Sequence, residues 1–332
     1  MEHLSIPDIA ARIADEHAAY LFLEELRWPD GVPVCPHCGN PGANYLKPRM
    51  AEGKARATRT GSMSQRRLWQ CKACRKQFSA MTGTIFHGSK VPLRTWLLVV
   101  FEMCASKNGM AAREIERKYH VAPKTAWFMA HRIREAMKRR APRMLVGTIV
   151  SDETWIGGDP RLMNTKTRRR HDEAKAHQPN KMTSKTPVVS HINAETGEVR
   201  SAVVPDVTGA TLGKAMSEVV DMGNSVLWTD EGNWYKQIGD EFAAHQTVNH
   251  SDDEYVNPVN GASTNLAEGY FSQLKRSIDG THHHISREHL PRYLTEFDYR
   301  YSTRTMTDTA RMARLMGQVD GRRLSYKRVK GS

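Results

Sequence analysis

Two closely spaced pairs of cysteines constrain this sequence more than any other feature. Cys35 and Cys38 form one pair, Cys71 and Cys74 the other, each with two intervening residues. This spacing lets both thiolates of a pair bind one tetrahedral zinc ion, and two pairs complete a structural site. Because 32 residues separate the pairs, we expect an extended hairpin loop between them. The pattern predicts a zinc ribbon holding one Zn²⁺, with two unrelated redox or structural pairs as the alternative.

Length and composition exclude several classes of protein. A chain of 332 residues is long enough for two or three domains, and five cysteines are too few, and odd in number, for a secreted disulfide scaffold. The longest wholly apolar run, Trp96–Phe101, is far shorter than the ~20 residues of a membrane-spanning helix. The first residues also lack the pattern of a signal peptide. We therefore expect a cytoplasmic protein with no membrane partner.

Basic residues are in excess and are concentrated in particular segments. The formal net charge of +13 favours a polyanionic partner such as DNA. Residues 45–76 contain ten basic side chains and one acid, residues 161–185 contain eight and two, and residues 322–330 contain five basic side chains. Such segments suit phosphate contacts, although solvated surface charge is the alternative interpretation. The DNA-contact candidates from the first two segments are Arg66, Arg67, Arg168, Arg169 and Arg170.

Residues 88–142 are predicted to be helical and to contain a helix-turn-helix. Apolar spacing predicts helices over Leu93–Ala105, Ala111–Tyr119 and Lys124–Met137, with a proline-containing turn before the last. We expect this last helix to expose a face that reaches a DNA major groove. Two packed helices without DNA contact are the alternative. The residues expected on or beside that face are Lys124, Thr125, Trp127, His131 and Arg132, of which Lys124 and Arg132 are the DNA-contact candidates.

From about residue 143 the sequence alternates between predicted strands and helices. The predicted strands are Leu145–Val150, Pro187–Asn193, Val199–Val204 and Ser225–Thr229, and the predicted helices are Thr211–Val220 and Thr264–Ser277. This order is typical of a ribonuclease-H-like fold. The fold class is therefore α/β: a ribonuclease-H-like catalytic domain with an N-terminal zinc ribbon and a helix-turn-helix region.

The chain is expected to divide into five segments. The first three are an N-terminal helix in 1–30 (over residues 6–28), the ribbon in 31–87 and the helical region in 88–142. The last two are the catalytic domain in 143–305, with a mobile basic insertion at 159–186, and a basic C-terminal tail in 306–332.

Three acids in this domain are candidates for binding catalytic metal ions. Asp152 and Asp230 each follow an apolar strand, and Glu268 lies in a later helix. Three carboxylates can hold two Mg²⁺ ions, for which Mn²⁺ often substitutes, about 4 Å apart. Asn265 and Lys275 project from nearly the same helix face as Glu268, as a further ligand and a phosphate contact respectively. The alternative is that the acids are ordinary turn and surface residues.

Several motifs in combination resemble one family of bacterial insertion-sequence transposases, the ISXO-like group or IS-fifteen-ninety-five family. The resemblance covers about residues 15–304 and is carried by Leu26–Gly31 with the first cysteine pair, Ala80–Trp96, Asp152–Gly158, Asn265–Phe271 with Lys275-Arg276, Gly280–His284 and Glu296–Tyr301. Asp159-Pro160 departs from the family, in which a basic residue is common after the double glycine. Arg276 and His283, within these motifs, complete the DNA-contact candidates.

The resemblance implies a DDE transposase that cuts DNA at terminal inverted repeats and joins the 3′-ends to target DNA. Asp152 and Asp230 would be its first and second acids. Family members have either Glu or Asn as the third, and we expect Glu268 rather than Asn265. Holding two ends implies a homodimer or larger assembly on DNA. A nuclease of the same fold and a domesticated DNA-binding regulator are the alternatives.

Overall fold

The chain folds into two compact units. The computed structural model describes residues 3–47, 67–140, 143–157, 165–177, 185–248, 256–257 and 261–326. Unit 1 comprises Met1–Ser106, Met110–Met137 and Met306–Ser332, and unit 2 comprises Lys107–Gly109 and Lys138–Thr305. Unit 2 is thus an insertion within the sequence of unit 1.

Unit 1 begins with two helices, α1 (Ile6–Arg12) and α2 (Glu16–Arg27). The prediction of one continuous helix over residues 6–28 is wrong. Asp15 has extended backbone geometry, and its carboxylate accepts a hydrogen bond from the backbone N–H of Ala18 at 2.7 Å. This N-cap satisfies a donor that would otherwise lack a partner, and it begins a second helix.

A three-stranded antiparallel sheet follows, with strands β1 (Ala43–Leu46), β2 (Leu68–Cys71) and β3 (Gln77–Phe78) in the order β1-β2-β3. Strands β1 and β2 pair antiparallel, as expected for the two sides of a hairpin. Residues 48–66, which include the DNA-contact candidate Arg66, lie outside the described residues. Trp28 packs edge-on against Trp69 and Phe78, with 6.2 Å between ring centroids in each case. These aromatic contacts attach α2 to the small sheet.

Three helices follow the ribbon: α3 (Leu93–Ala105), α4 (Ala112–Tyr119) and α5 (Pro123–Met137). Their bounds agree with the predicted helices to within one residue. The expectation that His131 and Arg132 lie on an exposed face of α5 is wrong, because they are only 0% and 4% exposed. The Arg132 guanidinium donates a hydrogen bond to the carbonyl of His87 at 2.7 Å. Arg132 is therefore not presented to a DNA major groove.

The C-terminal segment, predicted as a basic tail, contains helix α11 (Asp308–Met316). Met312 and Leu315 are buried, and α11 packs against α2 and α3. The backbone N–H of Leu4 donates to Thr309 at 2.8 Å, and the Arg27 guanidinium donates to Asp320 at 2.6 Å. Unit 1 is therefore assembled from both ends of the sequence. Lys327, Arg328 and Lys330 lie outside the described residues.

Unit 2 is built around a mixed five-stranded sheet. Its strands, in the order β6-β5-β4-β7-β8, are β4 (Leu145–Ile156), β5 (Thr186–Asn193), β6 (Val199–Val203), β7 (Val220–Asp230) and β8 (Ala244–Val248). Strand β5 runs antiparallel to β4 and β6, whereas β4, β7 and β8 are parallel. The helices are α6 (Thr165–His177), α7 (Gly209–Ser217), α8 (Tyr235–Gly239), α9 (Asn265–Ser277) and α10 (Leu290–Ser302), with a π-helical turn, Ile278–His282, after α9.

Apolar clusters cover both faces of this sheet. One contains Val150 together with Phe271 and Leu274 of α9. The other contains Leu227 with Leu212 of α7. All eight residues of β5 are buried. Helix α9 is therefore fixed against one face of the sheet.

Two elements of unit 2 differ from the prediction. The basic insertion contains helix α6 rather than only a loop, although residues 158–164 and 178–184 lie outside the described residues. Strand β4 continues to Ile156, so that Asp152 lies within the strand and not after it. No helix among the described residues is both long and apolar enough to cross a membrane.

Candidate metal centres

The four ribbon cysteines converge on one point. Cys35 Sγ lies 3.7 Å from Cys74 Sγ, and Cys38 Sγ lies 3.6 Å from Cys71 Sγ. All four sulfur atoms lie within 4.8 Å of one another. A tetrahedral zinc site with Zn–S bonds of about 2.3 Å has S···S edges of about 3.8 Å. The donor set and its dimensions therefore fit one structural Zn²⁺, as predicted from the spacing.

The backbone favours the thiolate form of Cys71. Hydrogen bonds from the backbone N–H groups of Cys74 and Ala73 lower the pKa of the Cys71 thiol to about 6. The N–H of Cys74 lies 3.4 Å from the sulfur. Because zinc binds thiolates rather than thiols, these amides prepare Cys71 for the metal.

Two of the predicted acids occupy matching positions on neighbouring parallel strands. Val150 of β4 is paired with Trp228 of β7, and Asp152 and Asp230 lie two residues further along their strands. Side chains alternate between the faces of a sheet, so this equal offset directs both carboxylates to the same face. Asp230 Oδ1 accepts a hydrogen bond from the N–H of Gly232 at 3.1 Å, and Asp152 Oδ1 accepts one from the N–H of Glu153 at 2.7 Å.

The electrostatics of Asp152 indicate a cluster of acids. Burial, and after it the negative charges of Glu153, Asp230 and Glu268, raise the pKa of Asp152 to about 7. The predicted third acid, on α9, is therefore close enough to affect the first. A carboxylate held near other carboxylates and partly shielded from water is stabilised by a cation.

The acid cluster is more open than the cysteine cluster. Within the described ranges, the cysteines are the only group of three or more potential ligands whose donor atoms all lie within 4.8 Å of one another. Glu268 is exposed on the first turn of α9 and accepts a 3.5 Å hydrogen bond from the Thr264 hydroxyl. Asn265 and Lys275 are also exposed on this helix. Three acids that bind two cations in pairs can lie further apart than three acids that all bind one cation.

A second acid on β4, Glu153, has a defined environment that the sequence analysis did not anticipate. Its Oε2 accepts a hydrogen bond from the hydroxyl of buried Tyr235 at 2.7 Å. Burial, and after it the charge of Asp230, raise the pKa of Glu153, while this hydrogen bond lowers it; the net effect is a raised pKa. On the other side of Asp152, the hydroxyl oxygen of Ser151 lies 2.9 Å from Nδ1 of buried His191. Asp152 thus lies between two residues whose side chains are held by β5 and α8.

A buried carboxylate, Asp298 of α10, holds α9 in place. It accepts hydrogen bonds from the backbone N–H and the hydroxyl of Ser201, at 2.9 and 2.6 Å, and from the hydroxyl of Tyr270 at 2.7 Å. Tyr270 follows Glu268 by two residues, and Ser201 belongs to β6. The Asp298 clamp, meaning Asp298 with Ser201 and Tyr270, therefore fixes the position of the helix that carries the third acid. The signal in the sequence was the tyrosine-rich segment Glu296–Tyr301, to which no role was assigned.

The DNA-contact candidates have different environments. Arg67 is largely enclosed: its guanidinium lies 2.9 Å from Glu24 and over the rings of Tyr45 and Trp69. Arg169 forms an exposed pair with Glu173 at 2.9 Å, and His283 Nδ1 lies 2.9 Å from the carbonyl of Asp279. The candidates with exposed side chains are Lys124, Arg168, Arg169, Arg170, Arg276 and His283.

Comparisons with known proteins place these features in one family. Residues 144–302 match the ISXO2-like transposase domain, and residues 14–77 match the transposase zinc-ribbon domain of the same family. The chain is also 27% identical, over 300 residues, to a protein in transposable element ISH50 of Halobacterium salinarum; the match covers 87% of this chain and 91% of that relative. From the cysteine cluster, the two domain matches and this relative, we conclude that the chain is a transposase with a zinc-ribbon domain and an ISXO2-like transposase domain.

Proposed function

We propose that this transposase binds the terminal inverted repeats of its element, cleaves the DNA there and joins the 3′-ends to target DNA. The observation that carries the proposal is the equal offset of Asp152 and Asp230 on parallel strands, with Glu268 near enough to raise the pKa of Asp152. Paired acids of this kind are used for phosphoryl transfer with two metal ions.

The topology of unit 2 supports a ribonuclease-H-like assignment. Three consecutive antiparallel strands, β4 to β6, are followed by β7, which returns beside β4 and parallel to it, and by β8 outside β7. Helices α7 and α9 contribute to the apolar clusters on opposite faces. Asp152 and Asp230, the proposed first and second acids, therefore lie on neighbouring strands in the middle of the sheet.

The acid cluster fits Mg²⁺, because its donors are carboxylate oxygens that leave room for water. In this proposal Asp152, Asp230 and Glu268 would hold the ions, with Asn265 as the alternative third ligand. When bound, the ions would supply activation of water or a 3′-hydroxyl and stabilisation of the leaving oxygen. In the metal-free protein, burial and the neighbouring acids raise the pKa of Asp152 to about 7, and a bound cation would favour its ionised form.

Other residues of unit 2 would position the reacting groups. Lys275, exposed on the same helix as Glu268, would contact a DNA phosphate. The Asp298 clamp would keep α9 in register with the sheet. Phosphoryl transfer depends strongly on the positions of such groups, because they must face the charge that develops in the transition state.

The proposal can be tested with labelled DNA that carries the repeats flanking the gene. Wild-type protein, Asp230→Ala and Asp221→Ala would be compared in Mg²⁺ and in Mn²⁺. Asp221 lies at the opposite end of β7 and serves as the matched control. Strand-joined products from the wild type and the control, but not from Asp230→Ala, are expected, with DNA binding retained by all three.

Other outcomes would lead to different conclusions. Nicks without joining would favour a nuclease, and a shifted duplex that is never cut would favour a DNA-binding regulator. Cutting by Asp230→Ala at the wild-type rate would remove that acid from the mechanism. A complex containing two or more chains, seen only with DNA, is expected from the need to hold both ends.

A further inference from the structure

Unit 1 contains a groove that the acid cluster and the zinc site do not use. Its volume is about 790 Å³, within the range of ligand-binding pockets. It is lined by the start of α3, the α4–α5 turn, α5 and Tyr326; we call it the α3–α5 groove. Lys90, Lys124 and Arg132 contribute positive charge, and no Asp or Glu occurs among its described lining residues. The groove is therefore suited to an anionic group.

Arg132 supplies the second indication of an anion. Its side chain is almost fully buried, and its Nε has no hydrogen-bond partner among the described residues. Among the described residues, no carboxylate forms an ion pair with the Arg132 guanidinium. Burial, together with the nearby charge of Arg323, lowers the pKa of Arg132 to about 10. A buried cation without a counterion is costly. An anion in the groove would provide the missing acceptor.

Aromatic rings indicate what accompanies the anion. The rings of Phe128 and Tyr326 meet edge-to-face at 5.6 Å, and Tyr326 is 36% exposed. Trp96 and Phe128 flank the Arg132 guanidinium, at 5.4 and 5.3 Å from its central carbon. Bases of single-stranded nucleic acid stack on such rings beside cationic side chains. A paired base is shielded within the duplex, so an unpaired base is required.

We propose that the α3–α5 groove binds an unpaired nucleotide of a DNA strand. Its phosphate is held by Arg132, Lys90 and Lys124, and its base packs against Phe128 and Tyr326. The inference rests on the proposed function only in taking DNA as the substrate. It does not depend on the acids of unit 2. A strand that is freed or distorted at a cleavage site would present such a nucleotide.

Binding to a fluorescein-labelled dT12 strand and to a blunt-ended duplex of two separate strands tests this proposal in buffer without Mg²⁺. Phe128→Ala should weaken the affinity for dT12 by about tenfold, the usual size of a lost base–ring contact. Its affinity for the duplex should change less than twofold. An equal loss for both DNAs, or no loss for dT12, would overturn the stacking role of the groove.

The phosphate contacts are tested by salt dependence. Lys90→Gln with Lys124→Gln should reduce the slope of log affinity for dT12 against log salt by about 1.4, or ~0.7 per phosphate contact. Arg12→Gln with Arg113→Gln removes the same charge from exposed positions of unit 1 outside the groove. This control should leave the slope nearly unchanged. A slope that changes equally in both double variants would overturn the phosphate assignment.

A cross-linking experiment on the wild-type protein does not depend on how well variants fold. A dT12 strand containing 5-iodouracil should cross-link, under ultraviolet light, to peptides that contain Phe128 or Tyr326. Cross-links found only elsewhere would overturn the proposal. If the protein bound neither dT12 nor duplex, the proposed function would fail as well. Binding to duplex with no effect of the groove variants would reject the groove alone.

Discussion

Replacement of Asp152 by Asn should stabilise the metal-free protein, although it should abolish catalysis. Burial and three neighbouring acids raise the pKa of Asp152 from 3.8 to about 7. At pH 8 Asp152 is ionised in the folded chain, although its pKa there is roughly three units higher than in the unfolded chain. This difference makes folding less favourable by about 4 kcal/mol. Asn carries no charge and retains an acceptor for the N–H of Glu153. We expect a gain of about 2–4 kcal/mol in the free energy of unfolding, since local relaxation offsets part of the penalty.

The direction of the pH dependence follows from the raised pKa. Below about pH 4, Asp152 is protonated in both the folded and the unfolded chain. Between pH 4 and 7 the unfolded chain loses this proton first, so the stability of the wild type falls as the pH rises. Above pH 7 Asp152 is ionised in both states, and the stability of the wild type falls no further on this account. The advantage of Asp152→Asn should therefore be small at pH 4, grow up to pH 7 and then level off.

Urea unfolding at pH 5 and pH 8, followed by circular dichroism, measures this effect. The buffer should lack divalent cations and also lack a chelator, which would remove zinc from the ribbon. Asp221→Asn, at the opposite end of β7 from the acid cluster, is the control and should change the unfolding free energy by less than about 1 kcal/mol. Equal stabilities of wild type and Asp152→Asn at pH 8, or an advantage that shrinks as the pH rises, would refute the reasoning.

Three further changes test other parts of the molecule. Cys71→Ser should reduce bound zinc below one ion per chain in elemental analysis and weaken DNA binding; full zinc retention would contradict the four-cysteine site. Arg168→Ala with Arg169→Ala should flatten the salt dependence of duplex binding by up to about 1.8 in the log–log slope, and an unchanged slope would show that α6 does not contact DNA. Asp298→Ala should lower the unfolding free energy by about 1–3 kcal/mol, because it removes the acceptor of Ser201 and Tyr270, and should slow DNA cleavage with affinity unchanged. Normal cleavage would show that α9 does not need the clamp.

The features that the sequence predicted well depend on short-range patterns. The apolar run from Leu93 to Ala105 specifies a buried helix by composition alone, and the structure has α3 at the same bounds. The cysteine spacing specifies a tetrahedral cluster because a two-residue spacer limits where two sulfur atoms can lie. The placement of Asp152 and Asp230 on neighbouring strands could be predicted, because each follows a recognisable apolar run in the sequence.

The features that could not be predicted from the sequence depend on tertiary packing. Arg132 has a polar side chain on an amphipathic helix, yet α5 is packed such that His87, Trp96 and Phe128 enclose it. The polar strand β8 shows no apolar alternation, because it pairs at the edge of the sheet. The hydrogen bond between Tyr235 and Glu153 joins residues 82 positions apart. Such long-range contacts have no signature in a single sequence.

The assembly of unit 1 from both ends of the chain has a consequence for synthesis. All of residues 138–305 leave the ribosome before α11 does, so the sheet of unit 2 can form while α1, α2 and α3 still lack the helix that packs against them. Leu4, Arg27 and Cys104 obtain their partners Thr309, Asp320 and Arg311 only at the end of translation. A chain that ended after residue 305 would thus contain all five strands of unit 2 but would lack the helix that packs against α2 and α3 of unit 1.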